Sequence, residues 1–255
     1  MDKISCIIPA YNEGPRIKNI LAMVHTHPLL DEILVVDDGS TDNTRDIVRE
    51  FPTVRLIALS ENGGKSKAIR EGVMQASHPV LFFLDADLLG LTEQNVTDLI
   101  TPVMEGRADL TISVRKVSPT VDLFNKMVGM DFFSGERVFR KSILEEHLQE
   151  IGSLPRFGLE TFINGLIVKH AYRLQIIFWE NVTGPLKSKK FGALGGAKAD
   201  FLMTMDILKT APILSIVSDC ITLRELQVDK TYFINHLLYK VARLRRLKVR
   251  LEQEK

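Results

Sequence analysis

Two carboxylates one residue apart, Asp85 and Asp87, directly follow the apolar run Val80-Leu81-Phe82-Phe83-Leu84. A run this rich in aromatic and branched side chains reads as a buried strand, so both acids leave its carboxyl end together. Open α/β sheets keep their ligands at that end. Hard anionic oxygens at this spacing suit Mg2+ or Mn2+, ions usually held by one or two carboxylates and completed by substrate phosphates. The chemistry to expect is work on a phosphorylated, nucleotide-linked molecule; an acidic turn with no ligand is the plainer alternative. Three other polar turns add to the pair: Pro9-Ala10-Tyr11-Asn12-Glu13-Gly14, Asp37-Asp38-Gly39-Ser40 and Glu61-Asn62-Gly63-Gly64-Lys65-Ser66-Lys67. Gly39 permits a turn that ordinary residues resist. The last segment carries cations into a helix start, which favours anions. Two rival phosphate motifs fail. A P-loop needs glycine where Leu59 stands, and no G-x-G-x-x-G follows the first strand.

The elements that must position these groups alternate. Residues 4–8, 32–36, 54–58, 80–84 and 109–114 read as strands, and residues 14–24, 41–51, 65–76 and 93–104 as helices, with N-capping chemistry in Thr41-Asp42-Asn43-Thr44. Strands separated by helices imply right-handed βαβ units and a mostly parallel sheet. Beyond residue 116 the pattern changes. A short helix at 123–129 leads to an extended segment at 133–139, then a helix at 159–170, a strand at 174–178 and a mainly helical end.

Composition bounds the class. A chain of 255 residues with 45% hydrophobic and 25% charged residues is ordinary for a globular protein and long enough for a large core. Cys6 and Cys220 read as separate buried thiols. The six histidines form no metal-ligand spacing and read as structural. With no signal peptide pattern at Met1-Asp2-Lys3-Ile4 and no apolar stretch near the ~20 residues a bilayer requires, the expected location is cytoplasmic. Charge is uneven. Residues 230–255 carry eight Lys or Arg and two Glu, a net +6, whereas the remainder carries 25 basic and 30 acidic groups, a net −5. No nucleic-acid partner is expected.

Ile8-Pro9-Ala10-Tyr11-Asn12-Glu13, Val35-Val36-Asp37-Asp38-Gly39-Ser40-Thr41-Asp42, Asn62-Gly63-Gly64-Lys65 and Leu84-Asp85-Ala86-Asp87 together resemble the nucleotide-binding half of family 2 glycosyltransferases with the GT-A fold. The likeness is dense over about residues 3–115 and thinner to about residue 195. It implies an α/β GT-A domain at 1–195, divided into a nucleotide-binding half (1–115) and an acceptor half (116–195), with a helical extension at 196–255. It further implies a sugar transfer from a nucleoside-diphosphate donor, UDP- or GDP-linked, to a hydroxyl or phosphate, assisted by Mg2+ or Mn2+. Pro9, Ala10, Tyr11 and Glu13 would line the nucleotide and Asp38 would meet the base edge. Lys65 would lie near base or ribose, Asp85 near the ribose and metal, and Asp87 on the metal. Glu160, in Arg156-Phe157-Gly158-Leu159-Glu160-Thr161, would be a general base or a sugar-positioning group, with Asp122, Asp131 and Glu136 as competitors. Ser134-Gly135-Glu136-Arg137 resembles the strand that cups the sugar, which places Arg137 with the catalytic residues.

Arg115 matches an arginine of the polyprenyl-phosphate branch of the family, whose acceptor is a lipid-linked phosphate. Lys187, Lys189 and Lys190 resemble a late basic loop that closes over phosphate. Relatives that carry a metal-binding histidine before this loop differ from Glu180-Asn181-Val182-Thr183-Gly184-Pro185, which has none. The metal is thereby left to carboxylate, phosphate and water. The basic segment 232–255 has an apolar side at Ile234, Leu237, Leu238, Val241, Leu244, Leu247 and Leu251. Such a helix suits peripheral contact with the inner face of a cell membrane, a homo-oligomer contact, or packing on its own domain. Sugar-phosphate nucleotidyl transfer and a non-catalytic nucleotide-sugar scaffold are the competing functions.

Overall fold

The computed structural model describes residues 2–115, 130–155, 158–184, 205–206 and 209–229. The expected helix at 123–129, the lysine loop at 187–190 and the basic segment 232–255 lie outside them. Seven strands form one sheet: β1 (Ile4–Ala10), β2 (Glu32–Asp37), β3 (Val54–Ala58), β4 (Val80–Phe83), β5 (Leu110–Arg115), β6 (Arg137–Arg140) and β7 (Leu174–Trp179). Their order is β3-β2-β1-β4-β6-β5-β7. β6 runs antiparallel to both β4 and β5, while the other pairings are parallel.

Period-two alternation divides each strand between two helical layers. Ile4, Cys6 and Ile8 face one layer with α1 (Gly14–Val24) and α4 (Glu93–Met104), and Ile7 faces the other with α3 (Lys65–Gln75). α1 presents Ile17, Ile20, Leu21 and Val24, the spacing of a single helical stripe, and all four are buried. Each such side chain contributes about 1.5–3 kcal/mol on leaving water. The second layer is completed by α5 (Ser142–Glu145), α6 (Leu148–Ser153), α7 (Leu159–His170) and α8 (Ile213–Glu225).

Two local readings are corrected. The second helix, α2, covers only Thr44–Arg49. Residues 41–43 are used by neighbours instead: Asp42 accepts the Thr44 and Gly14 amides, and Thr44 Oγ1 accepts the Glu13 amide. These bonds tie the β2 turn to the β1 turn, so the capping chemistry builds the ligand end of the sheet. The second correction concerns 133–139. A 3-10 turn occupies Met130–Phe133 and the strand begins only at Arg137. Because β6 is antiparallel, its first residue stands beside Phe83 at the carboxyl end of β4 and Ile112 in mid-β5. The chain between therefore crosses the site.

Candidate functional site

The four turns found in the sequence converge at the carboxyl end of the parallel strands. β1 ends at Ala10, and Asn12 takes a left-handed φ of 54°. Its side chain accepts the amides of Thr41 and Asp42. Tyr11 is 43% exposed. Glu13 is buried and paired with Arg16 at 2.9 Å. Gly39 holds φ +73° against the Glu61–Asn62 backbone, where an added Cβ would stand 2.7 Å from the Glu61 carbonyl carbon. Asp38 is buried, and its two carboxylate oxygens accept the Gly63 and Gly64 amides at 2.8 and 2.7 Å. Its first task is thus to shape the loop entering α3.

Lys65, the first residue of α3, carries the central finding. Its ammonium donates to Asp85 Oδ1 at 2.8 Å and to Glu160 Oε1 at 2.9 Å. Lys65, expected near base or ribose, thus stands between Asp85 after β4 and Glu160 on α7. Burial opposes a charged ammonium, but Asp85 and Glu160 outweigh it and raise the Lys65 pKa. Burial likewise opposes charge on Asp85, yet Lys65 and Arg115 prevail and lower its pKa. Arg115, at the end of β5, is itself held protonated, chiefly by Glu136, with Asp85 and Asp87 adding to the effect.

The turn before β6 lies over this ion pair. A Cβ on Gly135 would be 2.4 Å from Lys65 Nζ and 2.9 Å from Asp85 Oδ1, so any larger residue there would have to push both side-chain ends aside. Glu136 is fully buried; its Oε2 accepts from Ser113 and Ser134 at 2.7 and 2.5 Å. Burial raises its pKa, and the charge of Asp85 adds to that. Arg137 is also buried, at 1% exposure. Its guanidinium donates to the Ser134 and Phe132 carbonyls and to Asn164 Oδ1 at 2.9, 2.6 and 2.9 Å. Burial lowers its pKa to about 10, with Glu160 and Glu136 opposing. Two expectations change accordingly. Arg137, buried and bonded to the turn before β6, is not placed to cup a sugar, and Glu136, with no exposed surface, cannot reach an acceptor as a base. Glu160 does reach the site, at 8% exposure beside Lys65. Asp122 lies outside the described residues, as does the side chain of Asp131.

Asp85 and Asp87 fit a hard divalent cation: their oxygens follow β4 together, and Asp85 already takes a cation, the Lys65 ammonium. Among the described residues no group of three His, Cys, Asp or Glu forms a metal cluster. Phosphate and water would complete the shell. The segment without histidine is placed against this loop. Thr183 and Leu89 exchange backbone bonds of 2.8 and 3.0 Å, and Gly184 approaches the Arg115 guanidinium. Sequence reading did not find Thr183, Ser113 or Asn164. Only Asn164 left a trace, as an amide within the apolar run of α7.

Set against known proteins, the chain matches the profile described as Glycosyl transferase family 2 over residues 5–154. It is 25% identical over 189 residues to the dodecaprenyl-phosphate galacturonate synthase of Rhizobium johnstonii, covering 65% of this chain and 55% of that protein. It is 40% identical over 91 residues to glycosyltransferase AglE of Haloferax volcanii, 33% of this chain and 30% of that one. With a poly-beta-1,6-N-acetyl-D-glucosamine synthase of Staphylococcus epidermidis it shares 35% over 91 residues, 34% of this chain and 22% of that protein. The chain thus spans between 22% and 55% of these relatives. Among solved structures, glucosyl-3-phosphoglycerate synthase from Mycobacterium tuberculosis superposes with a TM-score of 0.60 at 20% identity, covering 82% of this chain and 78% of that one. That structure holds Mn2+, UDP and phosphoglyceric acid, and another of the same enzyme holds Mg2+ and UDP. The likeness shows a GT-A fold.

Proposed function

The chain belongs to glycosyl transferase family 2, and on that premise we propose that it moves a sugar from a nucleoside-diphosphate donor to a phosphate-bearing, lipid-linked acceptor. The observation that carries this reading is Lys65 bridging Asp85 and Glu160. One carboxylate belongs to the donor side of the sheet and the other to the acceptor-side helix α7, so a single ammonium marks where the two substrates meet. Tyr11 and the Asp38 loop offer a face and an edge to the base. Asp85 and Asp87 would hold Mg2+ or Mn2+, which would supply charge stabilisation to the departing diphosphate.

A phosphate acceptor is already anionic and needs positioning rather than a general base. Arg115 suits that task, as a forked cation at the site's rim with 27% of its side chain exposed. The similarity to a dodecaprenyl-phosphate enzyme supports the same class. Lys187, Lys189 and Lys190 remain proposed phosphate contacts on the same ground of charge.

The test is calorimetric titration with UDP, GDP, CDP and dTDP, each with and without Mn2+. Tight metal-dependent binding of one nucleotide is expected, and Asp87→Asn should weaken that binding and cut turnover by more than tenfold. Unchanged turnover would reject the Asp87 assignment. No binding of any nucleotide would move the scaffold reading forward.

No helix among the described residues is long and apolar enough to cross a membrane. α8 nevertheless exposes Ile213, Leu214, Val217 and Ile221, with Leu214 at 81%. Together with the basic segment beyond residue 230 this supports peripheral contact with an anionic membrane. Deleting the residues after Tyr239 should reduce sedimentation with phosphatidylglycerol vesicles several-fold at low salt. Equal sedimentation of both proteins would discard the idea.

A further inference from the structure

Behind Glu160 the structure holds a closed ring of buried polar groups that no substrate role accounts for. Asn164 lies one turn after Glu160 on α7, so the two side chains share a face of the helix. It is 3% exposed. Asn164 Oδ1 accepts from Arg137 Nη1 at 2.9 Å, and Asn164 Nδ2 donates to the Phe132 carbonyl at 2.9 Å. That carbonyl also accepts from Arg137 Nη2 at 2.6 Å, which closes the ring. Arg137 Nε continues it to the Ser134 carbonyl. The amide has one workable orientation here. Turned over, its NH2 would face the guanidinium donors and its oxygen would face a carbonyl.

The ring joins two parts of the chain that also share an apolar contact around Phe132. One is α7, which brings Glu160 to Lys65. The other is the 132–136 turn, which lays Gly135 over the Lys65–Asp85 pair and seats Glu136 on Ser113. Neither is anchored there by apolar packing alone, because the facing groups are buried and polar. A lone amide among Leu159, Ile163, Leu166 and Ile167 would cost stability unless both its ends were satisfied, and here they are.

We propose that Asn164 is a positioning residue of the transfer reaction: through Arg137 and the Phe132 carbonyl it sets the distance between Glu160 and the Gly135 turn, and so the geometry in which the acceptor meets the donor. This rests on the glycosyltransferase reading. The polar bonds of the ring run among Arg137, Asn164 and the Phe132 and Ser134 carbonyls, whereas Asp85 bonds to Lys65, so transfer should suffer more than nucleotide binding when the ring is broken.

The experiment compares wild type with Asn164→Leu and Asn164→Asp in three readouts: UDP binding with Mn2+, melting temperature, and kcat and KM for transfer from the nucleotide sugar that wild type uses. Asn164→Leu keeps the volume and loses both bonds. Asn164→Asp keeps the acceptor for Arg137 and loses the donor to Phe132. The expected result is nucleotide affinity within about twofold of wild type for both. Transfer kcat should fall at least tenfold in the leucine variant and less in the aspartate variant, as displacement of a catalytic group by ~1 Å can cost 100-fold. If both variants fold and kcat is unchanged, the role is overturned while the transferase reading stands. If kcat and nucleotide affinity fall together in the folded aspartate variant, the ring is a general scaffold and the proposal fails. A wild-type protein that neither binds a nucleotide nor turns over a nucleotide sugar removes the transferase reading and this one with it.

Discussion

Replacing Lys65 with methionine is expected to lower turnover by about 1000-fold, the scale seen when one pre-placed electrostatic donor is removed from an active site. Lys65 is the cation shared by Asp85 and Glu160. Without it the two carboxylates face each other across a partly enclosed gap. Methionine fills the same volume and brings no charge, so the loss is electrostatic rather than a cavity. UDP binding with Mn2+ should survive, because Asp85 and Asp87 remain and no ammonium competes for Asp85.

The same variant should weaken a pH dependence. In the wild type the Asp85 pKa is lowered in the fold. Its contribution to stability is present above the unfolded pKa of about 4 and is lost as pH falls through the lower, folded value. In Lys65→Met Asp85 loses its ammonium partner and only Arg115 is left to oppose burial, so its folded pKa rises above the wild-type value. The stability that Asp85 loses on acidification therefore shrinks. Breaking a buried pair from one side costs about 3–5 kcal/mol, and partial exposure of Lys65 puts this case near the lower figure. Thermal melts at about pH 7 and pH 3 measure the difference. A variant that loses stability on acidification as the wild type does, with kcat within threefold, would show that Lys65 is a surface cation of no consequence to the site.

How much of this was legible in the chain depends on the range of the signal. β1 to β5 and their helices could be read because each writes its own periodicity: Ile17, Ile20, Leu21 and Val24 mark α1 without reference to any other segment. The acidic pair after β4 and the glycine turns could be read for the same reason, since their types and spacing are local. What could not be read is pairing across distance. Nothing local tells that Lys65 spans to Glu160, 95 residues later, or that Asp38 spends its carboxylate on Gly63 and Gly64. The same holds for β6, whose antiparallel insertion between β4 and β5 is a property of the whole sheet. Arg137 shows the cost. In sequence it is a cation beside a glycine and looks available to a substrate; in space the three carbonyl and amide oxygens it binds use it up.

Gly135 provides the test that separates site from fold. An alanine there would place its Cβ 2.4 Å from Lys65 Nζ and 2.9 and 3.0 Å from the Asp85 oxygens. All three lie well inside van der Waals contact, yet all belong to the ends of side chains and none to backbone. Gly135 has no positive φ, so the substituted residue is not strained by its own conformation. The collision is therefore relieved by moving Lys65 and Asp85, not by opening the sheet. A melting temperature within a few degrees of wild type is expected, because the core strands beneath are untouched. Turnover should fall about 100-fold, since the ion pair that joins donor and acceptor sides is displaced by the better part of an ångström. Valine, with two more carbons, should lose more activity at a similar melting temperature. If Gly135→Ala instead unfolds the protein, the turn is a structural hinge. If it leaves kcat as it was, Lys65 and Asp85 work in some arrangement other than the bridged one, and the reading of the site built on that bridge falls.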